Sequence, residues 1–161
     1  MIKGLYTYTD YNKDRQHSVL KIGKPFSRVA ACAAINGSYK ELSVKDIRYI
    51  GQNAFSHSKV LKAKVYCDPS IAEGSTICDE VFAYCTDLKE VRFEGRLDGI
   101  PDYCFTACIN LQDVYVPKGL IVIGRNAFYC MNSVTIHHPE GTEFIIHPSN
   151  NNVDIKFVKE G

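Results

Sequence analysis

Phe82, Phe105 and Phe128 are separated by 23 residues each, and Ile77, Ile100 and Ile123 stand five residues before them in the same order. Phe55 with Ile50 adds a fourth copy 27 residues before Phe82, so four extra residues fall around "CDPSIAEGS" and residues 66–76 read as an insertion. A unit of this size cannot bury an apolar face by itself and has to stack on its neighbours, which makes a period in the twenties the signature of a solenoid.

Within the two clearest copies, Cys85, Leu88, Val91 and Phe93 follow Phe82 at the same offsets at which Cys108, Leu111, Val114 and Val116 follow Phe105. These eight residues form one inward-facing set. The last two of each group alternate with polar residues, as a short strand does. The stretches "FAYCTDL" and "FTACINL" have apolar spacings of three and suit a helical turn. The first copy has Ser58 in the cysteine column, and its strand slips by one residue to Ala63 and Val65. The last copy reads as compressed, with Cys130 two residues after Phe128.

The units "IGQNAF" (50–55), "VFAYCTDLKEVRF" (81–93), "CFTACINLQDVYVPKGLIVIGRNAF" (104–128) and "NSVTI" (132–136) resemble the BspA-like leucine-rich repeat. The resemblance covers about residues 42–136. It implies a repeat surface that binds proteins or other macromolecules. Many members of that family are secreted or displayed on the cell surface.

The expected fold is of mixed α/β class: a short leucine-rich-repeat solenoid with a mainly parallel ladder of short strands, capped at both ends. Residues 1–41 lie outside the pattern. "IKGLYTY" and "SVLKI" read as the strands of a hairpin, and "PFSRVAACAAI", with its proline start and following "NGS", reads as a short helix. Residues 42–136 form the solenoid. In residues 137–161, "TEFIIH" and "VDIKFV" flank the turn-rich "PSNNN" and read as a closing pair of strands. Glycine in "GQNAF" and "GRNAF" is expected to supply a positive backbone angle at a repeat turn.

Nineteen Lys and Arg against eighteen Asp and Glu give a net charge of +1, which offers no bulk field for a nucleic acid or an anionic membrane. No cluster of basic residues with interleaved aromatics stands out, so nucleic acid ranks low among partners. The start carries no apolar signal run, and no stretch approaches the roughly 20 residues that span a bilayer. Seven cysteines, an odd number, fit a reducing compartment better than a disulfide scaffold. The expectation is a cytoplasmic chain; a trimmed piece of a secreted protein would lack a signal as well.

Cys85 and Cys108 share a column and read as small buried fillers rather than reactive groups. A hydroxyl in their place would cost about 1–3 kcal/mol if left without a partner. Cys104, Cys108, His137 and His138 raise the question of zinc, but Cys104 stands where Ala54 and Ala127 stand in other copies, so no metal and no cofactor is assigned. Cys67 and Cys78 flank the insertion and are the least explained thiols. No phosphate loop, dinucleotide fingerprint, zincin motif or nucleophile elbow occurs.

What remains is the outward side of the strands. Lys89, Arg92 and Glu94 are expected beside Gln112, Tyr115 and Pro117 in successive rungs, with Lys64 and Thr135 extending the middle column. The row Lys64, Arg92, Tyr115, Thr135 is the candidate protein-binding surface, flanked by Lys89, Glu94 and Gln112. Two other readings stand beside it: an adhesin fragment that binds host protein or glycan, and an enzyme with an unrecognised Cys–His site.

Overall fold

The computed structural model describes residues 4–67 and 76–161. The chain winds as a stack of similar coils in which every strand pairs in parallel with the equivalent strand one coil away. The strands are numbered β1 to β14 in chain order. Seven of them make one continuous sheet: β2 (Val19–Ile22), β4 (Glu41–Ile47), β6 (Lys62–Cys67), β8 (Glu90–Gly95), β10 (Asp113–Tyr115), β12 (Ser133–His138) and β14 (Asp154–Lys159), in that spatial order. The short strands β1 (Leu5–Tyr6), β3 (Arg28–Val29), β5 (Tyr49–Ile50) and β7 (Thr76–Ile77) form a second sheet. β9 (Gly99–Ile100), β11 (Leu120–Ile123) and β13 (Glu143–Ile146) form a third.

The expected inward set is the core. Cys85, Leu88, Val91 and Phe93, with Cys108, Leu111, Val114 and Val116, are all buried. Phe55, Phe82, Phe105 and Phe128 are fully enclosed and stack in one column, with successive ring centroids 5.6, 5.7 and 5.7 Å apart. Burying each such ring contributes about 1.5–3 kcal/mol, and the offset stacking adds to it. Ala63 pairs with Val91 and Val65 with Phe93, so the one-residue slip of the first copy is real.

The third side of the five central coils is not the helical turn that spacing alone suggests. It holds two left-handed residues four apart: Cys32 and Asn36, Asn53 and His57, Glu80 and Tyr84, Tyr103 and Ala107, Asn126 and Cys130. This conformation aims alternate N–H groups out along the solenoid axis. Asn53, Phe55 and His57 donate to the carbonyls of Asp79, Val81 and Ala83, and Glu80, Phe82 and Tyr84 donate to those of Asp102, Cys104 and Thr106. A helix would direct the same groups into its own turn, so a lone repeat unit would gain and the stack would lose.

Gly51 and Gly124 do not supply the positive angles; Asn53 and Asn126, two residues later, do. The glycines are required for close approach. A Cβ at Gly124 would stand 2.7 Å from the Asp102 backbone nitrogen, and one at Gly51 would run into the Ala31 backbone.

The ends also differ from the expected pattern. "IKGLYTY" and "SVLKI" do not form a hairpin: β1 pairs with β3 and β2 with β4, both in parallel, and helix α1 (Tyr8–Asp14) lies between them. "PFSRVAACAAI" is not a helix but β3 followed by the first left-handed turn. β13 and β14 are not partners of each other; β13 extends the third sheet beside β11, and β14 extends the main sheet beside β12. Period-two patterning reports a strand but not its partner, and in a solenoid the partner is one coil away. The expected insertion at 66–76 falls largely on residues 68–75, outside the described residues; Tyr66 and Cys67 close β6, and Thr76 opens β7.

Candidate binding face

The outward residues of the main sheet are set by its register. Lys64 pairs with Arg92, Arg92 with Tyr115, and Tyr115 with His137, so the middle row is Lys64, Arg92, Tyr115, His137. Thr135 is displaced from this row by two residues and pairs with Asp113. The cause is a shift in the last complete copy. Met131, three residues after Phe128, is buried and occupies the cysteine column, its N–H donating to the Phe128 carbonyl as that of Cys108 donates to Phe105. Val134 follows Phe128 by six residues, as Leu111 follows Phe105, and Ile136 pairs with Val114. Cys130 is exposed, has a left-handed backbone like Tyr84 and Ala107, and is no member of the cysteine column. The offsets of three and six residues after Phe128 carry that signal in the sequence.

At the middle of the sheet the row becomes a stack. The Arg92 guanidinium carbon lies 3.7 Å from the Tyr115 ring centroid. Tyr115 lies nearly parallel to the His137 ring, 4.3 Å away. His137 Nε2 is 2.7 Å from Asp113 Oδ1, which fixes the imidazole from the neighbouring strand. A cation over an aromatic face contributes about 0.5–1 kcal/mol at an exposed site. All three side chains are half-buried by one another and stay accessible from outside.

The remaining candidates surround the stack. Lys64 Nζ lies 2.9 Å from Glu94 Oε1, and both side chains are substantially exposed. Lys62 and Glu90 make a looser pair at 3.7 Å in the adjacent row. Lys89 and Gln112 are exposed where their strands begin. Gln112 and Thr135, with Ser133 and Lys156, line a shallow groove on one side of the stack, while Lys64 and Arg92, with Glu41 and Lys62, line another on the other side. Sequence reasoning missed His137 and Asp113, which complete the stack.

The thiols show no comparable grouping. Cys85 Sγ donates to the Phe55 carbonyl at 3.2 Å, and Cys108 Sγ to the Phe82 carbonyl at 3.0 Å. Ser58 occupies the same column and donates to the Phe55 carbonyl at 2.7 Å. The column is therefore more than filling, because each sulfur ties its coil to the one before. Burial raises the Cys85 thiol to about 11 and also pushes Cys104 and Cys108 upward. Of the two thiols that flank the insertion, Cys67 is buried and Cys78 is half-buried; Cys32 and Cys130 are the exposed ones. His138 turns from the outer face toward Phe144, whereas Cys104 and Cys108 lie enclosed in a turn. Among the described residues, His, Cys, Asp and Glu are not gathered into a group that could hold a metal ion.

The comparisons agree with this geometry. A family model described as a BspA type leucine rich repeat region matches six copies over residues 50–159, more than half of the chain. The chain belongs to the BspA-type leucine-rich-repeat family. The matched region runs beyond residue 136, through β13 and β14, both of which continue the ladders of a BspA-type solenoid. Searches of curated proteins and of solved structures found no match. Stacked repeats of this kind present extended surfaces for protein interaction. Among the described residues, no helix of this BspA-type chain is long and apolar enough to cross a membrane.

Proposed function

We propose that this chain is a noncatalytic protein-binding module that acts through the outward face of its seven-stranded sheet. The observation that carries this reading is the Arg92–Tyr115–His137 stack at the centre of that face, held from below by Asp113. Arg and Tyr are among the side chains enriched at positions that dominate interface energies. Here they are immobilised before any partner arrives, which lowers the ordering cost of association. Lys64, Lys89, Glu94, Gln112 and Thr135 form a polar surround.

A continuous platform of seven parallel strands suits a protein that blocks or supports a larger machine by occupying its surface. Seven free cysteines, two of them exposed, support a reducing compartment such as the cytoplasm.

The test is affinity capture with the wild-type chain and with Arg92→Glu/Tyr115→Ala in parallel, the captured protein then being titrated against each. The expected result is binding to the wild type, a loss of about a hundredfold or more for the double variant, and a thermal midpoint close to that of the wild type. Undiminished binding by the double variant moves the site off this face. Rapid alkylation of one buried thiol in the folded chain, coupled to turnover, would favour the enzyme reading.

A further inference from the structure

The two ends of the solenoid are finished differently. At the N-terminal end, the inward residues of edge strand β2, Leu20 and Ile22, are buried, and Tyr11 of α1 packs edge-on against Tyr39. At the other end, β14 pairs only with β12 and β13 only with β11 among the described residues. Phe157, which continues the inward column of Val114 and Ile136, is 39% exposed. Val158 on β14 and Ile145 and Ile146 on β13 are exposed as well. An edge strand with free backbone groups and apolar side chains is a template for another strand.

The residues of β14 choose the partner. A two-fold axis that pairs β14 with its own copy in antiparallel fashion, keeping the outer face outward, must pass over a residue, because directly opposed side chains then point the same way. Centred on Lys156, the pairing sets that lysine against itself. Centred on Phe157, it opposes Asp154 to Glu160 and Ile155 to Lys159; centred on Asp154, it sets that carboxylate against itself; and centred on Val158, it opposes Phe157 to Lys159 on the inner face. Centred on Ile155, it opposes Asp154 to Lys156 twice on the outer face, and Val153 to Phe157 twice on the inner face, with Ile155 meeting itself. Val153 and Ile155 already pack against the core, so this register continues the apolar column across the junction.

We propose that a second copy of this chain covers this end, through antiparallel pairing of β14 with β14 across a two-fold axis at Ile155. The contact is isologous and closes at two copies. It joins two seven-stranded sheets edge to edge and places both outward faces on the same side of the assembly. The proposal does not depend on what those faces bind.

Sedimentation of the full chain over a wide concentration range tests it. The wild type is expected to be in monomer–dimer equilibrium, with no larger species. Asp154→Lys alone, or Lys156→Asp alone, turns two attractive cross-strand pairs into repulsive ones and should weaken dimerisation about tenfold or more. The double exchange Asp154→Lys/Lys156→Asp should restore it. Both side chains are about two-thirds exposed, so each variant should keep the wild-type circular dichroism and thermal midpoint. A strictly monomeric wild type, open-ended polymers, or a dimer insensitive to either charge reversal would each overturn the proposal.

Discussion

Arg92 on β8 lies over the ring of Tyr115 on β10, its guanidinium carbon 3.7 Å from the ring centroid, although 23 residues separate them in sequence. The contact exists because the repeat period sets the two residues opposite each other in the parallel ladder. A double-mutant cycle with Arg92→Ala and Tyr115→Ala should give a coupling of about 0.5–1 kcal/mol in urea denaturation. A coupling indistinguishable from zero would show that the stack is not held in solution.

Phe82 offers its carbonyl to the Cys108 thiol at 3.0 Å from the preceding coil, and Ser58 shows that a hydroxyl in this column also finds an acceptor, the Phe55 carbonyl of its own coil at 2.7 Å. Cys108→Ser should therefore cost less than about 1 kcal/mol, while Cys108→Ala, which removes the donor and some volume, should cost about 1–2 kcal/mol. Chemical denaturation of the two variants decides the order. A serine variant weaker than the alanine variant would contradict the hydrogen-bonded column.

Burial lifts the Cys85 thiol from its ordinary value near 9 to about 11. Below pH 9 the thiol is protonated in both states and stability is unaffected. Between pH 9 and pH 11 the unfolded chain releases this proton and the folded chain keeps it, so stability falls as pH rises. The loss from Cys85 alone is about 2 kcal/mol at the top of that window. Cys104 and Cys108 shift in the same direction and add to it. Denaturation midpoints that stay level from pH 8 to pH 11 would count against burial of these thiols.

Accessibility gives an independent check. Brief alkylation of the native chain followed by mass analysis should label Cys32 and Cys130 first, Cys78 more slowly, and Cys67, Cys85, Cys104 and Cys108 only after denaturation. Early labelling at Cys67 would contradict its place in the core.

Ala107 holds a left-handed conformation with φ near 57°. Replacing it with glycine removes the steric cost of that region, about 1–2 kcal/mol, against an entropic loss of about 0.5–1 kcal/mol. Ala107→Gly should thus leave stability unchanged or raise it by about 1 kcal/mol. Ala127→Gly, at a buried position without a positive angle, should lower stability. The opposite ranking would mean that the turns are built differently.

The repeat period and the column of phenylalanines were legible in the sequence because burial forces the same residue type into the same place in every coil. So was the neighbour relation of Arg92 and Tyr115. The N-terminal forty residues hid their membership because they carry Tyr6, Ala34 and Leu20 in place of the usual anchors and admit α1 into one coil. His137 was missed because Val134 and Ile136 look like a strand pair whichever apolar position they fill. Met131 in place of cysteine concealed the shift. The turns escaped because asparagine, glutamate, tyrosine, alanine and cysteine all occupy the left-handed positions, so no residue type marks them.

At the last turn, the acceptors that coils elsewhere supply from their main chain come from side chains. The Asn126 N–H donates to Ser149 Oγ at 2.8 Å and the Phe128 N–H to Asn150 Oδ1 at 3.4 Å, while the Asn150 amide donates back to the Gly124 and His147 carbonyls. Main-chain rungs are indifferent to substitution, since every residue brings the same carbonyl. This rung is written in the genetic code itself, so a single nucleotide change at Ser149 or Asn150 can erase it and leave the other described turns intact.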